Sequence, residues 1–202
     1  MQILEQFLTS SIPAGFYWFS EPAHYRLGAG LEIHTDAGKD FWQNTHYGFR
    51  HDDGHCLLTT LAGDFAITTH VQFQPRQQYD QCGLIVRIDA ENWIKASTEY
   101  ENEEYSRLGS VVTNLGYSDW ATQDIPSIHR EMWYRISKRG SDLLVEGSFD
   151  GQQWFQMRIA HLHALPAQVA AGVYACSPLG QDFACTFTML SIADNHWTHS
   201  EG

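Results

Sequence analysis

Apolar and polar residues alternate along most of this chain. The period-two pattern runs through Asp64–Phe73, Met132–Lys138, Leu143–Phe149 and Asp182–Ile192. Such alternation sends successive side chains to opposite faces of an extended strand, one facing a core and one facing water. Turn-forming residues separate the runs, at Gly38, Asp53–Gly54, Pro75, Gly140–Ser141, Asp150–Gly151 and Pro178. Asp150–Gly151 lies between two alternating runs, which predicts a tight type I′ hairpin. Only the first dozen residues and His161–Leu165 carry a pattern compatible with helix. The spacing predicts about a dozen short strands, as in an all-β sandwich or barrel. No Pro- or Ser-rich linker divides the chain. The pattern therefore predicts one all-β domain over residues 1–202, a two-sheet antiparallel β-sandwich or jelly roll.

One hairpin can be placed in register from the sequence. Cys82–Asp89 and Trp93–Glu99 flank Ala90, Glu91 and Asn92. With an odd loop, Leu84, Val86 and Ile88 share a face with Ile94, Ala96 and Thr98. Arg87, Lys95, Ser97 and Glu99 then share the other. An even loop would push Lys95 and Glu99 among the apolar residues, at the cost of burying unpaired charge. The pattern selects the first register, with one apolar and one ionic face.

Composition narrows the partners. The chain has 202 residues with 12 Lys+Arg against 24 Asp+Glu, a net charge of −12. So acidic a surface repels phosphate backbones and anionic headgroups, so neither nucleic acid nor a membrane is an expected partner. The N-terminus lacks a basic segment, and Glu5 interrupts its apolar run, so it does not read as a signal peptide. No stretch approaches the roughly 18 apolar residues of a membrane span. The expected compartment is the cytoplasm. There Cys56, Cys82, Cys176 and Cys185, which form no C-x-x-C pair, are expected as buried thiols. A disulfide would fit only an oxidising compartment.

Six segments then occur in order: Asp40–Phe49, Tyr79–Arg87, Trp93–Tyr100, Ser110–Asn114, Tyr117–Trp120 and Ala175–Gly180. Together they resemble a domain family of unknown function labelled for regulation of enolase, and the resemblance spans about Phe16 to Ile192. That family falls within the concanavalin A-like lectin and glucanase superfamily. The resemblance implies a concanavalin A-like jelly roll of two curved sheets, with a carbohydrate site on the concave face. It implies no particular reaction.

A saccharide site needs aromatic platforms and planar polar groups. Trp42, Tyr79, Trp93, Tyr100 and Trp120 are candidate platforms; Asp80, Arg87, Lys95, Glu99 and Asp119 are candidate polar partners, with Ser97 and Thr113 nearby. The expected ligand site is thus Trp42, Tyr79, Asp80, Arg87, Lys95, Glu99, Asp119 and Trp120. Arg87 and Lys95 would also suit a phosphosugar. The competing reading is a solvated ionic ladder above a core of aromatics.

Other constellations are weaker. Retaining glucanases of the superfamily carry Glu-x-Asp-x-Glu on one strand, and Glu99, Glu101 and Glu103 resemble this. A turn at Asn102–Glu104 would point Glu103 away, however, and retaining chemistry needs carboxyls about 5–5.5 Å apart. Glu99 is the one weak catalytic candidate, with Asp80 or Asp119 as an inverting partner. His46, His51, Asp53 and His55 match no zinc spacing; they read as turn residues, so no metal is expected. Ser148–Trp154 resembles a sialidase hairpin box but occurs once. Gly28 and Gly30 lack the third glycine of a dinucleotide site, and no cofactor is expected. Cys176–Pro178 reads as a strand-ending turn without a catalytic base.

The expectation is a cytoplasmic binding module for a carbohydrate or sugar-like metabolite, with a role in regulating carbon metabolism rather than in catalysing a reaction. The alternative is a carbohydrate-active enzyme using Glu99 with a second carboxylate. A third reading is a protein partner, or a second copy of the chain, contacting sheet edges or loops.

Overall fold

The chain forms seventeen strands among the described residues of the computed structural model, which are 2–195 and 197. In chain order they begin with β1 (Ile3–Glu5), β2 (Phe16–Phe19), β3 (His24–Leu27), β4 (Leu31–His34), β5 (Phe41–Gln43) and β6 (Arg50–Asp52). There follow β7 (His55–Ala62), β8 (Phe65–Gln74), β9 (Gln81–Asp89), β10 (Asn92–Tyr100), β11 (Tyr105–Asn114) and β12 (Tyr117–Pro126). The last are β13 (Glu131–Arg139), β14 (Asp142–Ser148), β15 (Phe155–His161), β16 (Gln168–Cys176) and β17 (Ala184–Ala193).

The strands form two large antiparallel sheets and one ribbon. The first sheet runs β15-β14-β13-β8-β17-β4-β3, with β1 added along β17. The second runs β12-β11-β10-β9-β16-β7-β2, and β5 pairs only with β6. The β9–β10 register matches the expected one: Val86 faces Ile94 and Leu84 faces Ala96. The main core lies between the sheets, where these residues meet Ile67, Val71, Tyr134, Val145 and Phe187. The architecture is a two-sheet antiparallel sandwich of the concanavalin A-like kind.

Three local expectations fail. The first dozen residues hold only β1 and irregular chain, because Ile3 pairs with Ile192 and extends a sheet edge. The segment after His161 is a turn, in which Leu162 is fully buried and Leu165 N–H bonds Leu162 C=O at 3.2 Å. The connection 149–154 is longer than a two-residue hairpin. Only Gly151 takes a positive φ (71°), and the Asp150 carboxylate accepts the Gln152 and Gln153 N–H groups at 2.8 Å instead. An Asx cap of this kind favours a wider loop.

Polar contacts also cross the core. Tyr134 on β13 and Thr98 on β10 share a buried hydrogen bond of 2.6 Å between the sheets. Tyr134→Phe should cost about 1–2 kcal/mol, because it strands the Thr98 hydroxyl. Urea unfolding that shows no loss would mean the bond contributes nothing net.

Candidate functional site

The outer face of the second sheet carries a smaller apolar cluster of its own. Phe41, Trp42, Ile85, Trp93, Val111, Tyr174 and Cys176 are buried there, under the β5–β6 ribbon. Phe41 meets Trp93 edge-on at 5.7 Å and Tyr174 at 6.1 Å. Gly54 makes this approach possible, since a Cβ at that position would clash with the Phe41 ring and the Cys176 sulfur. The ribbon is fastened at both ends. Asp52 accepts from Arg87 Nε at 3.2 Å and Nη2 at 2.5 Å, and Asn44 donates to Gly116 C=O at 2.6 Å.

Between ribbon and sheet lies a cavity of about 350 Å³. Trp42, Tyr47, Phe49, Tyr79 and Trp120 form its aromatic walls, with His51 on the ribbon and Pro178 and Leu179 on the facing loop. Trp42 lies edge-on to Trp120 at 6.4 Å and to Tyr47 at 5.4 Å. Its ring is fixed by a bond from Nε1 to Thr45 C=O at 2.9 Å. The rim is exposed at Tyr47, Phe49 and Leu179.

The polar lining consists of Asp40, Gln81, Lys95 and Glu99. Lys95 is only 2% exposed. Its ammonium donates to Gln81 Oε1 at 2.8 Å and Phe41 C=O at 3.1 Å, and it lies 3.7 Å from Asp40 Oδ1. Gln81 Oε1 also accepts from Tyr174 Oη at 3.1 Å, while Nε2 donates to Tyr79 C=O at 3.2 Å and Glu99 Oε2 at 2.9 Å. All four hydrogen-bonding positions of the Gln81 amide are therefore used. Burial pushes the Glu99 carboxyl up to about 8. Lys95 and Arg107 oppose the rise, and Asp40 and Glu101 add to it.

Of the residues expected at a ligand site, Trp42, Tyr79, Lys95, Glu99 and Trp120 line this cavity, whereas Asp80, Arg87 and Asp119 do not. Arg87 shares the face of Lys95, but its guanidinium pairs with Asp52 and stacks 4.2 Å above Phe19. It clamps the ribbon. Asp80 precedes Gln81 and so has the opposite parity. It is buried, accepting from the Arg76 and Gln77 N–H groups at 2.8 and 2.9 Å and from Ser177 Oγ. Asp119 adjoins Trp120 and turns the other way, to pair with Arg158 at 2.6 Å on the exposed surface. Trp93 lies beneath the cavity in the apolar cluster.

Glu103 lies exposed in a turn, where Asn102 Oδ1 accepts the Glu104 and Tyr105 N–H groups at 2.9 and 3.1 Å. His55 is fully buried between Ser20 C=O (2.6 Å) and the Asp36 N–H (3.0 Å), and burial lowers its pKa. Among the described residues no group of three or more His, Cys, Asp or Glu is placed to hold a metal. All four cysteines are free and buried. Desolvation raises the Cys56, Cys82 and Cys176 thiols well above their ordinary range, the opposite of what a nucleophile needs.

Asp40, Tyr47, Phe49 and Gln81 escaped the sequence reading. Gln81 was within reach, since it continues the parity of Arg87 and pairs with Glu99. Asp40 and the two aromatics belong to the ribbon, whose short strands carry no readable alternation.

The fold and the site together define an antiparallel β-sandwich protein with a ligand-sized, aromatic-walled cavity outside one sheet. More narrowly, the chain belongs to the family described as "Protein of unknown function (DUF1349)", whose model matches residues 18–195. It is 33% identical over 176 residues to "Regulation of enolase protein 1" of Saccharomyces cerevisiae, covering 87% of each chain. A crystal structure of a functionally unknown protein from Saccharomyces cerevisiae matches with a TM-score of 0.77 at 28% identity, over 94% of this chain and 98% of that one. The GH43 BlXynB protein from Bacillus licheniformis matches 95% of this chain with a TM-score of 0.73. At 13% identity and 39% of that chain, it shares the fold alone. No helix among the described residues is long and apolar enough to cross a membrane.

Proposed function

We propose that this protein is a cytoplasmic binding module for a small carbohydrate or sugar-like metabolite, held in the cavity between the β5–β6 ribbon and the second sheet. The observation that carries this reading is the pairing of six aromatic rings, Phe41 among them, with a buried hydrogen-bonded floor in one cavity. Aromatic faces suit the C–H surfaces of a sugar ring, and fixed polar groups suit its hydroxyls. At about 350 Å³ the space lies at the small end of ligand pockets, which run from roughly 300 to 1,000 Å³. The GH43 neighbour supports the reading only as a fold that accompanies carbohydrate chemistry elsewhere. The 33%-identical yeast relative is named for regulation of enolase, which supports a regulatory setting for such a module.

A ligand that binds the folded state raises its apparent stability. In a thermal-shift screen, sugars should therefore give a saturable rise in Tm. Trp120→Ala removes a ring from the edge strand and should weaken binding about tenfold, roughly 1.4 kcal/mol. A saturable shift of equal strength in Trp120→Ala would move the site away from this cavity.

A second reading has one observation in its favour: Asp40 and Glu99 both line the cavity, and the Lys95 charge acts on both. A raised Glu99 suits a general acid. Turnover of a bound glycoside, lost in Glu99→Gln, would make the protein an enzyme; binding without turnover would leave it a binder.

A further inference from the structure

We infer that the cavity selects an uncharged sugar ring over its phosphorylated or carboxylated forms, with the Glu99 carboxyl donating the hydrogen bond that fixes the ring. This rests on the sugar-site reading above and deepens it.

Among the described residues Lys95 is the one Lys or Arg lining the cavity, and two carboxyl groups, Asp40 and Glu99, line it as well. With His51 counted as neutral, the lining therefore offers no net positive charge in either protonation state of Glu99. The Lys95 ammonium is also spent: two of its protons go to Gln81 Oε1 and Phe41 C=O, and Asp40 stands beside it. The other cations on this face are engaged as well: Arg87 is held bidentate by Asp52, and Arg107, opposite Glu99 on β11, lies 3.2 Å from the Glu101 carboxylate and 5.3 Å over the Trp120 ring. An incoming phosphate would have to break one of these buried arrangements and shed its own hydration. The net charge of −12 adds a long-range penalty. The phosphosugar suggested by Arg87 and Lys95 in sequence is thus disfavoured by where their donors go.

An ammonium has only donors, so Lys95 must meet the carbonyl oxygen of the Gln81 amide. The Gln81 NH₂ group is thereby turned toward Glu99, and Glu99 Oε2 is the acceptor at 2.9 Å. Among the described residues no hydrogen bond engages the other oxygen, Oε1. When the carboxyl is protonated, its proton sits on Oε1. It is then a donor facing a cavity whose floor otherwise holds groups already paired. An uncharged sugar supplies acceptor oxygens for it without bringing a charge.

The groups around Glu99 that bear on pH are Lys95 on its own strand and Asp40 and His51 on the ribbon. Glu101 follows β10, and Arg107 lies on β11 opposite Glu99. Tyr79 precedes β9, and Tyr174 lies on β16. Burial pushes both tyrosines upward, so neither titrates between pH 7 and 9. Glu99 does, near 8.

The test is calorimetric binding of glucose, galactose and xylose against glucose 6-phosphate and glucuronate, at pH 7 and pH 9. At least one neutral sugar should bind, with the charged forms at least tenfold weaker. Its affinity should fall as pH rises through about 8, approaching tenfold per unit above that. In Glu99→Gln the ratio of Kd between pH 9 and pH 7 should drop to about one. The amide is folded-state competent because it keeps an acceptor for Gln81 and a donor for the cavity. Equal or tighter binding of the charged forms, or a pH dependence that survives in Glu99→Gln, would overturn this inference while leaving a sugar site standing. If neither set binds, the sugar-site reading falls and the inference falls with it.

Discussion

Replacing Lys95 with Met should lower the unfolding free energy by about 3–5 kcal/mol, the usual cost of removing one partner from a buried charged arrangement. The side chain is 2% exposed, so water cannot replace what is lost. Methionine keeps length and apolar contact but donates nothing. Phe41 C=O loses its side-chain donor, Gln81 Oε1 is left with the Tyr174 hydroxyl alone, and Asp40 loses its neighbouring positive charge. A stranded buried acceptor costs about 1–3 kcal/mol in its own right. Adding Asp40→Asn should restore part of the loss, because the two effects are coupled through one contact. Urea unfolding of both variants measures this. A Lys95→Met protein within about 1 kcal/mol of wild type would show that the ammonium is solvated and the floor open.

Trp93→Ala should cost as much, about 3–5 kcal/mol, for a different reason. The ring is fully buried, on the side of the second sheet away from the main core. It supports Phe41 edge-on, and its Nε1 donates to Ala90 C=O at 3.2 Å. Truncation opens a cavity that the small surrounding cluster cannot fill. The ribbon rests on Phe41, so ligand binding should suffer with stability. Val145→Ala, in the core between the sheets, offers the contrast. It should destabilise the fold while sparing affinity for any sugar that binds. If Trp93→Ala keeps full affinity, the ribbon does not depend on this cluster.

Much of the scaffold was legible because strand alternation is a local property. The parity of Leu84, Val86 and Ile88 against Ile94, Ala96 and Thr98 followed from the cost of burying Lys95 and Glu99 unpaired, and the observed register agrees. The same rule should have separated Asp80 from Gln81 and Asp119 from Trp120, since neighbours on a strand face opposite ways. Grouping them by chemistry rather than parity put two carboxylates on the wrong side. Arg87 shows a different limit. Its face was readable, but its partner Asp52 lies 35 positions away in sequence, on a ribbon whose placement depends on tertiary packing. The ribbon itself was hidden because β5 and β6 are three residues each and their link holds Asn44 and His46 at positive φ. The first dozen residues looked helical because pairing with β17 at a sheet edge leaves no trace in a twelve-residue window.

An isolated two-stranded ribbon is marginal in water. Here β5–β6 persists because Arg87, Gly116 and the Phe41 cluster hold it against a sheet that folds around a separate core. The molecule thus divides its labour: the sandwich carries the folding, while a strip of about a dozen residues supplies Asp40, Trp42, Tyr47, Phe49 and His51 to the cavity. Such a strip can be rewritten without disturbing the core beneath it. Exchanging ribbons between relatives should change what the cavity accepts while leaving the thermodynamics of the sandwich nearly untouched, which makes this segment the natural handle for diversification and for redesign.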